Sequence, residues 1–362
     1  MRIAYLIHSL HRGGGMERVL GLKAGLLASR HEVFIVTSSQ KGRPDAFPVD
    51  SRVKRIDLGK SERFFKKAYR KSLEKCLCEI KPDITISLCG PEIFLLPRLK
   101  DGSRKIAEFH FTHHKYYLKY GRNPVSALRT RRMEKAAAAL DSFVVLTKSD
   151  AIHWPVKCIQ QIYNPLSIST NEISDLSSKR AIAIGRLMPQ KNFADAIEAW
   201  ELVSHQHPDW TLDIFGEGRQ RHRLEKMISA RGLEGKVCLK GNSTNIRKEL
   251  LSSSFILMSS RYEGFPMVLL EAAACGVPMV SYNCPSGPSE IITDGENGFL
   301  VPCGDVNALA GACRQMISSN RTAMGAAAHQ TAESFSPEVI MAQWEKLFQS
   351  LADNHTPTFQ AD

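Results

Sequence analysis

Short apolar runs alternate with longer amphipathic stretches along the whole chain. In the first half, residues 3–7, 33–36, 84–88, 105–109 and 143–146 are the apolar runs. Their length and β-branched content predict buried strands. Helical spacing fills the gaps over residues 16–29, from Ser61 as a candidate cap to about residue 80, and over 125–139. Tyr163-Asn164-Pro165 reads as a joint, extended by the polar run 167–179. The pattern then restarts. Strands are expected over 180–185, 210–215, 236–239, 255–258 and 277–281, and helices over 192–205, 219–230 and 305–317. Ser336-Pro337-Glu338 opens a last helix, and the tail 354–362 reads as disordered.

Strand and helix alternating in this way predict parallel sheets with crossover helices. The 362 residues exceed one ordinary core. We therefore expect one α/β domain over 1–164 and a second over 165–335. The helix 336–353 is expected to pack back on the first. No short internal repeat is present.

Composition narrows the class. Hydrophobic content of 43% and charge of 23% fit a soluble globular chain. No run of about 18 apolar residues exists, so no membrane-spanning helix is expected. The first residues read as a strand and not as a signal peptide. The nine cysteines form no C-x-x-C pair, which predicts reduced thiols and a cytoplasmic setting. Charge is uneven: residues 1–170 hold 31 Lys/Arg against 15 Asp/Glu, and the remainder holds 17 against 22. A basic first half implies an anionic partner.

Candidate chemistry concentrates in Ser260-Arg261-Tyr262-Glu263-Gly264-Phe265-Pro266-Met267-Val268-Leu269-Leu270-Glu271-Ala272. Pro266 is suited to open a helix. Glu263 then lies in the preceding loop and Glu271 on the second helical turn. A helix amino end attracts phosphate, whereas a carboxylate beside it can bind vicinal hydroxyls. Phosphate and hydroxyl-bearing rings together describe a nucleotide-sugar; two ordinary surface acids are the plain alternative. Gly185-Arg186-Leu187-Met188-Pro189-Gln190-Lys191-Asn192 puts two cations at a strand end, suited to a diphosphate or simply solvated. Gly216 in Phe215-Gly216-Glu217-Gly218 permits close ligand approach. Ser286-Gly287-Pro288 opens a further helix with amides to offer. Gly295-Glu296-Asn297-Gly298 reads as a turn.

In the first half, Gly13-Gly14-Gly15 follows a strand and precedes a helix. It suits a phosphate or substrate, or a plain tight turn. His110 ends a strand, where it can hydrogen-bond a sugar or phosphate. With His113 and His114 it lacks the acid or Cys companion of a zinc site. Lys115-Tyr116-Tyr117-Leu118-Lys119-Tyr120 and Arg129-Thr130-Arg131-Arg132 suit an anionic membrane surface, single-stranded nucleic acid, or solvent. No Asp-x-Asp occurs, so no metal-held site of that kind is indicated.

Taken in order, these motifs resemble the retaining glycosyltransferases of family 4, also called group 1, with the GT-B fold. The likeness covers nearly the whole chain. It is strongest from Ile182 to Pro302, ending in Asp294-Gly295-Glu296-Asn297-Gly298-Phe299-Leu300-Val301-Pro302. The resemblance implies two Rossmann-like doubly wound parallel-sheet domains facing each other across a cleft. It implies a metal-independent enzyme without a cofactor. The donor would be a nucleoside diphosphate sugar, UDP-linked in preference to GDP-mannose. The acceptor would be lipid-linked or a glycan, with no nucleic acid, at the inner face of the cytoplasmic membrane. Arg186 and Lys191 would bind the diphosphate and Glu271 the ribose. Glu263 would lie by the transferred sugar, with Gly264, Phe265, Pro266, Met267 and Val268 and their amides around it. His110 would face that sugar, and Gly14 and Gly15 would line the phosphate or acceptor side. Asn192 stands where the family more often has Gly.

Overall fold

The computed structural model describes residues 1–60, 66–88, 90–168 and 172–353. The expected cap Ser61 and the tail 354–362 lie outside them. The chain divides into two compact units: residues 1–167 with the segment from Pro337 onward, and residues 168–336.

The first unit is built on a parallel sheet of β1 (Arg2–Ile7), β2 (Glu32–Thr37), β3 (Lys54–Asp57), β4 (Ile84–Ser87), β5 (Arg104–Phe109), β6 (Ser142–Val145) and β7 (Ile159–Gln161), in the order β3-β2-β1-β4-β5-β6-β7. Its helices are α1 (Gly15–Leu27), α2 (Lys66–Ile80), α3 (Lys115–Tyr120), α4 (Pro124–Ala137) and α5 (Lys148–Ala151). Both sheet faces are covered, and alternation along β1 shows how. Ala4 and Leu6 enter one core with Leu73 and Leu77 of α2 and Met133 of α4. Ile3, Tyr5 and Ile7 enter the other with Leu20 and Ala24 of α1. A strand sends successive side chains to opposite faces, so a doubly covered sheet needs continuous apolar runs.

The second unit repeats the plan with β8 (Arg180–Ile184), β9 (Thr211–Phe215), β10 (Val237–Gly241), β11 (Phe255–Met258), β12 (Met279–Asn283) and β13 (Gly298–Pro302), in the order β10-β9-β8-β11-β12-β13. Its helices are α6 (Phe193–Ser204), α7 (Arg221–Ala230), α8 (Ile246–Leu251), α9 (Met267–Ala274), α10 (Pro288–Ile291), α11 (Val306–Ser318) and α12 (Arg321–Glu333). The last helix, α13 (Pro337–Asp353), belongs to the first unit: Ile340, Trp344, Leu347 and Phe348 complete the core around β1 and α1.

Several elements differ from the expectation. β3 and β7 are edge strands, and only Ile56, Ile159 and Gln161 of their residues are even half-buried, so no apolar run marks them. β13 lies at the end of the motif read as a turn. α12 has an alanine-rich sequence with little contrast between its faces. Helix α9 starts at Met267, so Pro266 stands just before the first turn and not in it.

A charged pair crosses the interior of the first unit. Lys23 Nζ of α1 lies 2.7 Å from Glu108 Oε2 of β5, and both side chains are 1% exposed. The ammonium also sits over the Trp344 ring, 3.8 Å from its centroid. Burial alone would raise Glu108, but the Lys23 charge and the His110 ring outweigh it and hold the carboxyl below its usual range. Burial lowers Lys23 against the pull of Glu108. Breaking such a pair strands a buried charge, which costs about 3–5 kcal/mol. Lys23→Met is therefore expected to lose stability of that order in chemical denaturation, and Lys23→Met with Glu108→Gln to lose less. A double variant as unstable as the sum of the single ones would contradict this reading.

Candidate active site

The chain leaves β8 toward β9 and β10 on one side of the second sheet, and returns to β11, β12 and β13 on the other. Adjacent parallel strands whose connections depart in opposite directions open a crevice at their carboxyl ends. The loops after β8 and β11 carry the two motifs singled out above.

Three side chains stitch these loops together. Ser259 Oγ donates to the Lys191 or the Asn192 carbonyl, each 3.1 Å away. Gln190 Nε2 donates to the Tyr262 carbonyl at 2.9 Å, and the Arg261 amide returns a bond to the Gln190 carbonyl at 2.8 Å. Lys191 Nζ then meets Glu263 Oε1 at 2.7 Å, with side chains 19% and 8% exposed. That is a charge-assisted bond in a half-dry setting. Glu263 is fixed from behind as well. Its amide donates to the Pro285 carbonyl at 2.8 Å, and its carbonyl accepts from the Ser286 amide at 3.3 Å. The Ser286 amide, expected to await a ligand, is thus engaged by Glu263.

Local conformation explains two residue choices. Asn192 caps α6 in the left-handed region, at φ 52° and ψ 43°. Asn tolerates that region better than most residues, so it can stand where Gly is commoner. Gly216 has φ 137°, and a Cβ there would stand 1.9 Å from the Gly185 carbonyl oxygen. Its lack of a side chain makes room for the neighbouring strand end. The Gly185 amide bonds the Phe215 carbonyl at 2.9 Å, which sets the two loops at that spacing.

The remaining sites are placed as follows. Arg186 is exposed on the β8 loop, and no ion pair or side-chain hydrogen bond holds it among the described residues. Gly264 is half-buried between Glu263 and Phe265. Phe265 is buried against Phe335, with ring centroids 5.7 Å apart. Pro266 is buried against Gly287. Met267 and Val268 begin α9 and are half-buried. The Met267 amide is turned back onto the Phe265 carbonyl at 3.0 Å. Glu271 is buried on the next turn. The thiol of Cys275 beyond it is raised to about 12, by burial first and the Glu271 charge second.

In the first unit, His110 follows β5, and Nε2 lies 3.2 Å from Glu108 Oε1. Gly14 caps α1, and a Cβ there would meet Glu17 Oε2 at 2.5 Å, whereas Gly15 has open space around it. A carboxylate already stands over the start of α1, so a phosphate at Gly14 would meet like charge. His113 is turned to Glu134 at 2.8 Å. Among the described residues, no group of three or more His, Cys, Asp and Glu could hold a metal ion.

Sequence reading missed the clamps. Ser259 and Gln190 look like ordinary polar loop residues, and only the pairing of β8 with β11 gives them a task. Ser260 and Ser286 flank Glu263, and their hydroxyls are buried without a hydrogen-bond partner among the described residues. The adjacent serines at the end of β11 were the available signal. Asn297, inside the motif read as a turn, is buried and bonds the Thr293 amide, the Ile291 carbonyl and Thr331 of α12.

The model of the family "Glycosyl transferases group 1" matches residues 169–331. Among relatives, the exopolysaccharide phosphotransferase of Streptomyces coelicolor is 30% identical over 97% of this chain. The chain spans only 41% of that protein's length. The amylovoran biosynthesis glycosyltransferase AmsD of Erwinia amylovora is 28% identical, over 96% of this chain and 99% of that protein. Among solved structures, S. aureus TarM in a complex with UDP superposes with a TM-score of 0.81 at 18% identity, covering 96% of this chain and 99% of that one. The likeness shows the fold, with two parallel-sheet α/β units of the GT-B type. The second unit is thus similar to the group 1 glycosyltransferases, and the likeness to AmsD extends along nearly the whole chain.

Proposed function

We propose that the protein moves a hexose or N-acetylhexosamine, with retention, from a nucleoside diphosphate sugar to a lipid-linked or polysaccharide acceptor in surface-polysaccharide synthesis. The observation that carries this is the joining of Lys191 and Glu263 at 2.7 Å where the second sheet reverses its order. In this reading Arg186 and Lys191 hold the diphosphate, Glu271 takes the ribose, and Glu263 takes hydroxyls of the transferred sugar. His110, on the first unit, is read as a hydrogen-bonding group for sugar. UDP is favoured because the TarM structure carries it. The bond from the anomeric carbon to the diphosphate oxygen breaks. The acceptor oxygen bonds to that carbon on the same face, and its proton passes to a diphosphate oxygen. Cations poised where charge grows on the leaving group stabilise that state, and losing one such group costs about 10²–10³ in turnover.

Arg186→Ala is the cleanest test, since the side chain is exposed and makes no ion pair or side-chain hydrogen bond among the described residues. It is expected to melt like the wild type while losing about 10²-fold in sugar transfer. Glu263→Ala and Lys191→Ala are expected to lose as much, with some loss of stability from the broken pair. Transfer at the wild-type rate in all three would end this reading.

The acceptor side motivates a companion prediction. Around α3 and α4, Phe111, Leu118, Tyr120, Val125 and Leu128 are between 39% and 60% exposed. Arg122, Arg129, Arg131 and Arg132 are exposed among them, and the Arg129 guanidinium stacks 5.0 Å from the Tyr120 ring centroid. Apolar and basic groups on one surface suit an anionic bilayer, where each cation contributes about 1 kcal/mol. The protein is expected to sediment with vesicles containing anionic lipid, and to be released by salt. Equal recovery in the supernatant with and without anionic lipid would argue against docking.

A further inference from the structure

The buried Lys23–Glu108 pair has no part in the reaction as described, yet it ends on His110. Glu108 uses its two oxygens separately. Oε2 accepts from Lys23 at 2.7 Å, and Oε1 lies 3.2 Å from His110 Nε2. Nε2 is buried, and neither that oxygen nor any other acceptor among the described residues meets hydrogen-bond geometry with it, so the contact is electrostatic. A carboxylate has no proton to give and repels a bare nitrogen lone pair, so the nitrogen beside it is the one favoured to carry the proton. In a neutral imidazole the other nitrogen is then the acceptor.

We propose that Lys23 and Glu108 are positioning residues for His110. Glu108 fixes the ring with its proton on Nε2 and so leaves Nδ1 as the atom offered to the ligand. The proposal rests on the reading that His110 hydrogen-bonds a sugar. Nδ1 would then accept a hydrogen bond from a sugar hydroxyl. Lys23 keeps Glu108 anionic in a dry interior, a state that burial alone opposes. Further groups face the pair from β1 and α13. Tyr5 comes from β1 and Trp344 with Glu345 from α13, and the Tyr5 hydroxyl is pushed up by burial, then by Glu108 and Glu345. Tyr5 therefore stays neutral and does not compete with Glu108 for charge. A lone structural ion pair would not need its second carboxylate oxygen turned to a histidine.

The test is nitrogen NMR of the full chain labelled in its histidine rings, with His110 assigned through His110→Gln. The wild type should show His110 with the proton on Nε2. A proton on Nδ1, or an even mixture, would overturn the proposal. Lys23→Met with Glu108→Gln removes both charges together and keeps the interior free of a stranded ion. In that double variant the single tautomer should be lost. The turnover number should fall about tenfold, the loss expected when one oriented hydrogen bond is weakened, while the donor KM changes little. An unchanged tautomer, or a lost tautomer with wild-type turnover, would also overturn it. His110→Ala separates the two claims. Wild-type turnover in that variant removes His110 from the proposed reaction, whereas the ring spectrum of the wild type still decides whether Glu108 orients it.

Discussion

Two parallel strands, β8 and β11, lie side by side although about seventy residues of chain separate them, and the candidate site depends on that adjacency. Each strand ends in a loop with charge to place and backbone groups to satisfy. The loops solve this jointly. Ser259 and Gln190 take up carbonyls across the gap, and the Lys191–Glu263 bond closes it. The backbone bonds bring a cation and an acid from distant sequence to hydrogen-bond distance before any ligand arrives. Groups held in advance cost little reorganisation when charge develops beside them. Lys191 and Glu263 neutralise one another, whereas Arg186 of the same loop has no acid paired with it among the described residues.

Much of the architecture was legible because doubly covered parallel sheets need unbroken apolar strands. β1, β8 and β11 are of that kind. The elements that escaped are those with little to bury. β3 and β7 sit at a sheet edge, β13 begins in a Gly and ends in a Pro, and α12 is rich in alanine. Their existence is decided by neighbours in space, which a local pattern does not contain.

The site was legible unevenly, for a similar reason. Arg186, Lys191, Glu263 and Glu271 stand out because charge at a strand end or in an apolar helix asks for an explanation. Gly216 stands out as a glycine at a strand end, but its missing side chain makes room for the Gly185 carbonyl. At Gly14 the space a side chain would need is filled by Glu17. Ser259, Gln190 and Asn297 carry no such mark, since their work is to satisfy particular carbonyls and amides. Lys23 and Glu108 were invisible too. Eighty-five positions separate them, and a lysine within a helix reads as a surface residue until α13 is seen to cover it.

The central claim is that the loops after β8 and β11 hold the diphosphate of a nucleotide-sugar. Calorimetric titration of UDP into the wild-type protein and into Lys191→Ala tests it most directly. The account predicts saturable binding to the wild type, and a dissociation constant raised about tenfold or more in the variant, the loss expected from one charged hydrogen bond. Equal affinity in both proteins, or no binding to the wild type, would contradict it.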